Sequence, residues 1–304
     1  MSGDGDEQKG HYGRKGLNKL HKKLDGQAKD AGACLTGHDA NFKNYKPEKS
    51  CNYRFQAYKH ALSNGAIKRR LHSYSTRGTA DIQTSAPTGG KHGRYPARYA
   101  TEIPPPQKRD WHLDGSDRDI KRSAIAGGPI TVPKKKNFSQ DTWPYWNNAH
   151  HLIPKGTLKA RILDEAKDVK VSNLIQQCLL EAKYNINYEV NMLLLPQDRE
   201  VAKLLNLPRH LQLEHRDGGV RVEVANHPVY NKKALEVKDG LNDIIEAYAT
   251  KCKNAIKKDH KNPNAKLDKS KLEALSRKLL RMILRWKAKY SLDANANGTA
   301  KGIR

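Results

Sequence analysis

Two histidines stand side by side in the segment Asn148-Ala149-His150-His151-Leu152-Ile153-Pro154, and a third opens the segment His227-Pro228-Val229-Tyr230-Asn231. Adjacent side chains on an extended chain point to opposite faces. In such a pair one imidazole can hold a metal ion while the other faces a substrate, which is the division of labour that metal-assisted phosphodiester hydrolysis needs. A cation takes the charge on the phosphate and the leaving oxygen, and a neutral imidazole activates water. His227 and Asn231 are four residues apart, so they share one face of a helix that Pro228 can start. An imidazole nitrogen and an amide oxygen can join one divalent ion there. Asn191 falls between the two clusters, just before the apolar run Met192-Leu193-Leu194-Leu195-Pro196. An amide at that place can hold the backbone or orient an imidazole ring.

Local pattern supplies the elements that must position these groups. From Asn148 to about Ala249 the chain is denser in Leu, Ile and Val than elsewhere. Leu158, Ile162 and Leu163 recur at helical steps up to Ala166, and Leu174, Ile175, Cys178 and Leu179 do so within Ser172 to Tyr184. Met192 to Leu195 has the length of a buried strand, and a helix is expected over Asp198 to Leu207. Leu211 and Leu213, then Val220, Val222 and Val224, flank Asp217-Gly218-Gly219 as alternating strands about a hairpin turn. Pro228 opens one long helix with Leu235, Leu241, Ile244, Ile245 and Tyr248 on its apolar face. Further on, Leu272, Leu275, Leu279, Ile283 and Trp286 form an amphipathic stripe, and Ser270 and Glu273 have the spacing of a capping box.

Upstream, Lys15 to Leu24 reads as a short basic helix, Tyr53 to Leu71 as a helix with Tyr58, Ala61 and Leu62 on one face, and Ile130 to Val132 as a short strand. Pro104-Pro105-Pro106 and Gly127-Gly128-Pro129 mark turns and linkers. Trp143, Tyr145 and Trp146 read as packing beside the first strand, with stacking on bases as the alternative. Trp111, His112 and Asp114 read as a solvated loop, and the tail from Asp293 to Arg304 as loose. Four segments result: a basic leader over 1–50, an irregular region over 51–140, a compact domain over 141–250, and a basic helix with its tail over 251–304. The fold class is α+β and mostly helical.

The chain has 304 residues, of which 57 are Lys or Arg and 32 Asp or Glu, for a net charge of +25. A field of that sign attracts polyanions, nucleic acid first and an anionic membrane second. Lys155, Lys278, Arg281, Arg285 and Lys289 suit contacts with phosphates, and such contacts carry affinity rather than sequence readout. Disruption of a membrane by the C-terminal basic helix is the reading the same charge allows without nucleic acid. No run reaches the roughly 18–20 apolar residues of a membrane span, and the polar start, Met1 to Gln8, lacks the apolar stretch of a cleaved signal peptide. Cys34, Cys51, Cys178 and Cys252 contain no CxxC pair, which disfavours a thiolate zinc cluster or a redox motif.

Ala149-His150-His151 with Leu152-Ile153-Pro154, then Asn191 to Pro196, then His227-Pro228-Val229-Tyr230, occur in the order of the three elements of the AHH nucleases, and this part of the chain resembles that branch of the HNH/endonuclease VII superfamily. Met192 stands where the family has a glycine, and His215 is the nearest counterpart of an additional family histidine. The resemblance implies a ββα-metal core with one divalent ion (Mg²⁺, Mn²⁺, Ni²⁺ or Zn²⁺). It implies His150, His227 and Asn231 as ligands, with His215 as an alternative, His151 as general base, and Asn191 orienting that base or completing the metal shell. The expected activity is endonucleolytic cleavage of DNA with low sequence specificity. An RNase of the same fold and a non-catalytic nucleic-acid-binding protein are the alternatives. Members of the family are antibacterial toxins, often type VI secretion effectors, and this implies an acidic immunity protein as partner, a secretion component or chaperone held by residues 1–140, synthesis in the bacterial cytoplasm, and action in the cytoplasm of a target cell.

Overall fold

The computed structural model describes residues 33–35, 53–67, 83–85, 100–102, 120–124, 130–132, 147–196, 202–203, 205–210, 212–215, 221–224, 227–286, 288 and 290–298. The chain is α+β and mostly helical, and it divides into two compact units that interleave along the sequence. The expected basic helix near Lys15, the aromatic cluster Trp143, Tyr145 and Trp146, the Trp111-His112-Asp114 segment and Lys289 lie outside the described residues.

One unit takes Met1–Gln56, His151–Met192 and Asn231–Leu280. Its core is a helical layer of α2 (Lys155–Ala166), α3 (Val169–Glu181) and α5 (Leu241–Lys258), each packed on the other two. Leu158, Ile162 and Ala166 face inward from α2, and Leu174, Ile175, Cys178 and Leu179 from α3. Leu163 departs from the expected apolar stripe and is 51 % exposed. A helix's buried arc is narrower than the set of positions that fit its period, and Leu163 lies at the edge of that arc. Asp168 caps α3 by accepting from the Lys170 amide at 2.6 Å, so this helix starts three residues earlier than its apolar pattern. Residues 33–35 add a short bridge to this unit: Cys34 N–H donates to the Tyr184 carbonyl, and Ile186 N–H donates to that of Cys34.

The long helix expected from Pro228 is two helices, α4 (Pro228–Glu236) and α5. Asp239 adopts a left-handed φ of 53°, which ends the first helix, and Gly240 follows in extended backbone as the N-cap of the second. A Cβ on Gly240 would stand 2.4 Å from the Val237 carbonyl oxygen and 2.7 Å from that of Leu235, so only glycine fits this close backbone approach. Asp243 returns a carboxylate bond to the Gly240 amide at 3.3 Å. Helical periodicity continues across the break because both helices bury the same kind of face, and the apolar pattern alone does not disclose it.

The other unit takes Ala57–His150, Leu193–Tyr230 and Arg281–Arg304. Strands β1 (Gln83–Ser85), β2 (Ala100–Glu102), β3 (Ile120–Ala124) and β4 (Ile130–Val132) form a sheet in that order, with β4 at the expected place. Strands β5 (Asn147–His151) and β6 (Met192–Pro196) pair with one another, and β7 (Gln212–His215) runs antiparallel to β8 (Arg221–Val224) as the hairpin pattern requires. All five residues of β6 are buried, as an apolar run bounded by Pro196 implies. Within 51–71, α1 (Tyr53–Ser63) buries Tyr58 and Ala61 and leaves Leu62 half-buried.

Helix α6 (Ser270–Leu284) carries the C-terminal stripe: Leu272, Leu275, Leu279 and Ile283 are buried, and Trp286 follows half-buried. Its start differs from the capping-box reading. Asp268 accepts from the Ser270 amide at 2.8 Å and from the Ser270 hydroxyl, and these bonds hold its carboxyl below the usual range. Glu273 pairs instead with Lys269 at 3.2 Å. The tail, too, is more structured than its composition implies, with a last helix α7 (Leu292–Ala296) capped by Ser291.

Substituting Gly240→Ala is expected to cost about 1–3 kcal/mol, since two carbonyl oxygens must move to admit the methyl group. Urea denaturation of the full chain, with the midpoint falling at unchanged m, measures it.

Candidate metal centre

Three imidazoles converge within the second of these units. The ring of His150 lies 4.8 Å from that of His227 and 5.2 Å from that of His210, and the last two are 5.0 Å apart, all edge to face. Each offers a nitrogen, and these donor atoms lie within 4.8 Å of one another. His150 comes from β5, His227 precedes α4, and His210 sits in the short segment ahead of β7. His150 and His210 are buried and His227 is half-buried.

Backbone bonds place His210. Its amide donates to the Pro196 carbonyl at the end of β6, at 2.9 Å. Its neighbour Arg209 exchanges backbone bonds with the C-terminal segment, receiving from Leu292 N–H at 3.0 Å and donating to the Tyr290 carbonyl at 2.9 Å. Burial, and next the adjacent His227, push the His210 imidazole well below its ordinary value of 6.5. It is therefore neutral and keeps a nitrogen lone pair for a cation. Its Nδ1 is buried with no hydrogen-bond partner among the described residues, and an orphaned buried acceptor of this kind is costly unless something coordinates it.

Tyr230 and Asp293 set the entry of α4. The Tyr230 ring packs 4.9 Å from His150 and 5.6 Å from His227, with Trp286 at 6.0 Å. Asp293, buried in α7, accepts from the amides of Tyr230 at 2.8 Å and Val229 at 3.2 Å. A carboxylate on the free amides of a first turn both satisfies them and complements the helix dipole. The expectation of a loose segment at Asp293 is corrected here, because this carboxylate holds the backbone that follows His227.

His151 belongs to the other unit. Its Nε2 lies 2.8 Å from Asn187 Oδ1. For that contact to be a hydrogen bond the proton must be on Nε2, which leaves the lone pair on Nδ1. Tyr53 packs against the ring at 5.7 Å, and Asn187 is fully buried, its own amide donating to Asn185 Oδ1 at 2.9 Å.

Asn191 is engaged throughout its side-chain amide. Oδ1 accepts from Ile153 N–H at 2.7 Å and from the Ser276 hydroxyl at 2.8 Å, while Nδ2 donates to the carbonyls of Ile186 at 2.8 Å and Ile153 at 3.2 Å. Leu152 N–H adds a backbone bond to the Asn191 carbonyl at 2.8 Å. Of the roles open to it from sequence, holding the backbone just after the histidine pair is the one its bonds serve, and the amide that touches the His151 ring is that of Asn187.

Asn231 is half-buried on α4, four residues beyond His227. His215 ends β7, and its side chain lies outside the described residues. Among the residues expected on phosphates, Lys155 is half-buried at the start of α2, Arg281 and Arg285 are exposed, and Lys278 donates to the Lys238 carbonyl. Sequence reasoning missed His210 and Asn187. Neither stands in a motif, and the available signal was only that Leu207-Pro208-Arg209-His210 follows β6 closely.

Two outcomes follow. Asn191→Ala strands several buried backbone groups at once and is expected to cost roughly 2–4 kcal/mol, read by urea denaturation. Because the folded His210 is harder to protonate than an unfolded histidine, the unfolded state binds more protons below pH 6.5. The metal-free protein should thus lose stability as the pH falls from 6.5, and melts in EDTA at pH 7.5 and 5.5 measure the loss.

Comparison of the chain with protein-family models, with curated proteins and with solved structures returned no match.

Proposed function

We propose that this chain is a metal-dependent nuclease that hydrolyses phosphodiester bonds of DNA, with a ββα-metal centre as its catalytic core. The observation that carries the reading is the convergence of His150, His210 and His227 next in sequence to His151. Three imidazoles suit zinc, nickel and similar borderline ions better than magnesium or calcium, which take oxygen ligands. The chemistry of the donor set and the orphaned His210 nitrogen both fit a divalent cation. When bound, such an ion supplies charge stabilisation at the scissile phosphate and the leaving oxygen.

The chain's own residues supply the remaining parts. His151 takes the proton of the attacking water on Nδ1, with Asn187 fixing the tautomer from the far side of the ring. Asn191 holds the turn at Leu152 and Ile153, so that the strand bearing both histidines keeps its direction. Asp293 anchors the helix that His227 precedes. The net charge of +25 concentrates polyanions around the protein without regard to sequence. The pairing of β5 with β6 and the helix α4 after His227 support the ββα part of this reading. An antibacterial effector with an acidic immunity partner is the biological role this reading carries, and RNA is the alternative polymer.

Purified protein freed of metal and resupplied with Zn²⁺, Ni²⁺, Mn²⁺ or Mg²⁺ is expected to nick plasmid DNA and to lose that activity in EDTA. His151→Ala should lower the rate by about 10²–10⁴ while metal binding persists, whereas His210→Ala should lose the metal as read by calorimetry. A protein that cleaves neither DNA nor RNA with any of these ions sinks the proposal.

A further inference from the structure

A second place in the fold has the make-up of a ligand site. In the helical unit, a cleft of about 430 Å³ opens between α3 and the loop that follows α5. Pockets for small ligands start near about 300 Å³, and one unpaired nucleotide is a ligand of this class. Lys170 on one side and His260 and Lys261 on the other form its rim, all three exposed. Among the described residues no carboxylate lines it. The nearest acids in sequence are turned onto backbone: Asp168 onto the Lys170 amide, and Asp259 onto the amides of Lys261 and Asn262 at 2.9 and 3.0 Å.

The wall and floor differ from the rim. Asn173 and Gln177 lie one turn apart on α3, and each spends its amide nitrogen locally, on the Val169 carbonyl and on Glu181 Oε1. Each keeps for a ligand its amide oxygen, which phosphate cannot use and the exocyclic amine of a base can, together with its second N–H. Leu174, Ile256 and Pro263 complete the lining with apolar surface. Cations, side-chain amides and apolar side chains in one lining match the three parts of a nucleotide: phosphate, base edge and base face. A duplex keeps its base faces stacked inside, so only an unpaired nucleotide can present all three.

We infer that this cleft is a subsite for an unpaired nucleotide of a single-stranded nucleic acid, with Lys170 and Lys261 on the flanking phosphates. The inference shares the nucleic-acid partner of the proposed function but requires none of its chemistry.

The test measures binding by the full chain in EDTA, where nothing is cleaved, using fluorescence anisotropy on a 12-nucleotide single strand. A strand of the same length with every base removed and a duplex of the same length serve as the other probes. The double variant K170E/K261E should weaken the single strand about tenfold or more and lower the slope of log affinity against log salt by about 1.4, that is, about 0.7 for each of two phosphate contacts. The control K159E/K232E makes the same change of charge at two exposed lysines outside the cleft, and should cost threefold or less. The base-free strand should bind at least about fivefold more weakly than the normal one, and this difference should vanish in K170E/K261E. Running the pair on an RNA 12-mer assigns the polymer by the larger loss. Equal losses from the two double variants, equal binding of normal and base-free strands, or a stronger effect on the duplex than on the single strand would each overturn the inference. A protein that shows the expected pattern yet cleaves nothing keeps the cleft and loses the nuclease, and one that cleaves without the pattern does the reverse.

Discussion

Three imidazoles whose donor nitrogens lie within 4.8 Å of one another put a severe constraint on the protein around them. Protonating any one would set a charge in a poorly hydrated place beside its neighbours, and burial makes that worse for His210 than for a solvated ring. Neutral imidazoles that share one small volume offer lone pairs that converge on the same space. Tyr230 packs edge to face on His150 and His227, and the buried Nδ1 of His210 has no hydrogen-bond partner among the described residues. Apolar burial would have been met more simply by leucine. The use of histidine at three such positions is therefore a statement about what the place is for.

The elements that hold the cluster use backbone groups more than side-chain packing. Asn191 makes four hydrogen bonds through one amide, three of them to backbone groups that no strand or helix satisfies. Asp293 does the same for the first turn of α4. Arg209 is fixed through its own amide and carbonyl, so its side chain and the adjacent imidazole inherit their place from the chain path. Bonds of this sort are short-ranged and directional. They define the position of a ring more tightly than the non-directional burial that drives the helical layer of α2, α3 and α5 together.

How much of this was legible in the sequence follows from the same distinction. His150, His151 and His227 were readable because local pattern marks them: two adjacent rings ahead of an apolar run, and one ring at a proline that starts a helix. The strand at Met192 to Pro196, the hairpin over 212–224 and the buried stripe of α6 were readable because apolar period reports burial directly. His210 was not, because its place depends on a backbone bond to Pro196 and on contacts with a segment some 80 residues further on. Asn187 was hidden for the same reason. The break at Asp239 and Gly240 escaped because it turns on a positive φ and a close carbonyl approach, which leave no trace in hydrophobic spacing. Asp293 was obscured by its surroundings, an Asn-, Ala- and Gly-rich tail whose composition resembles that of unstructured chain.

The third histidine also changes what the motif means. A pair of imidazoles with an amide or carboxylate is a mixed donor set, and a mixed set binds hard and borderline ions with little discrimination. A cation held by His150, His210 and His227 would meet imidazole nitrogens, which suit borderline ions better than the oxygen ligands that magnesium and calcium take. On the proposed reading His210 would bias the choice of ion, while His151, bonded to Asn187, would carry the acid–base chemistry. The His210 backbone is placed by the Pro196 carbonyl and the His151 ring meets Asn187, so on that reading metal binding and proton transfer are properties that mutation can separate.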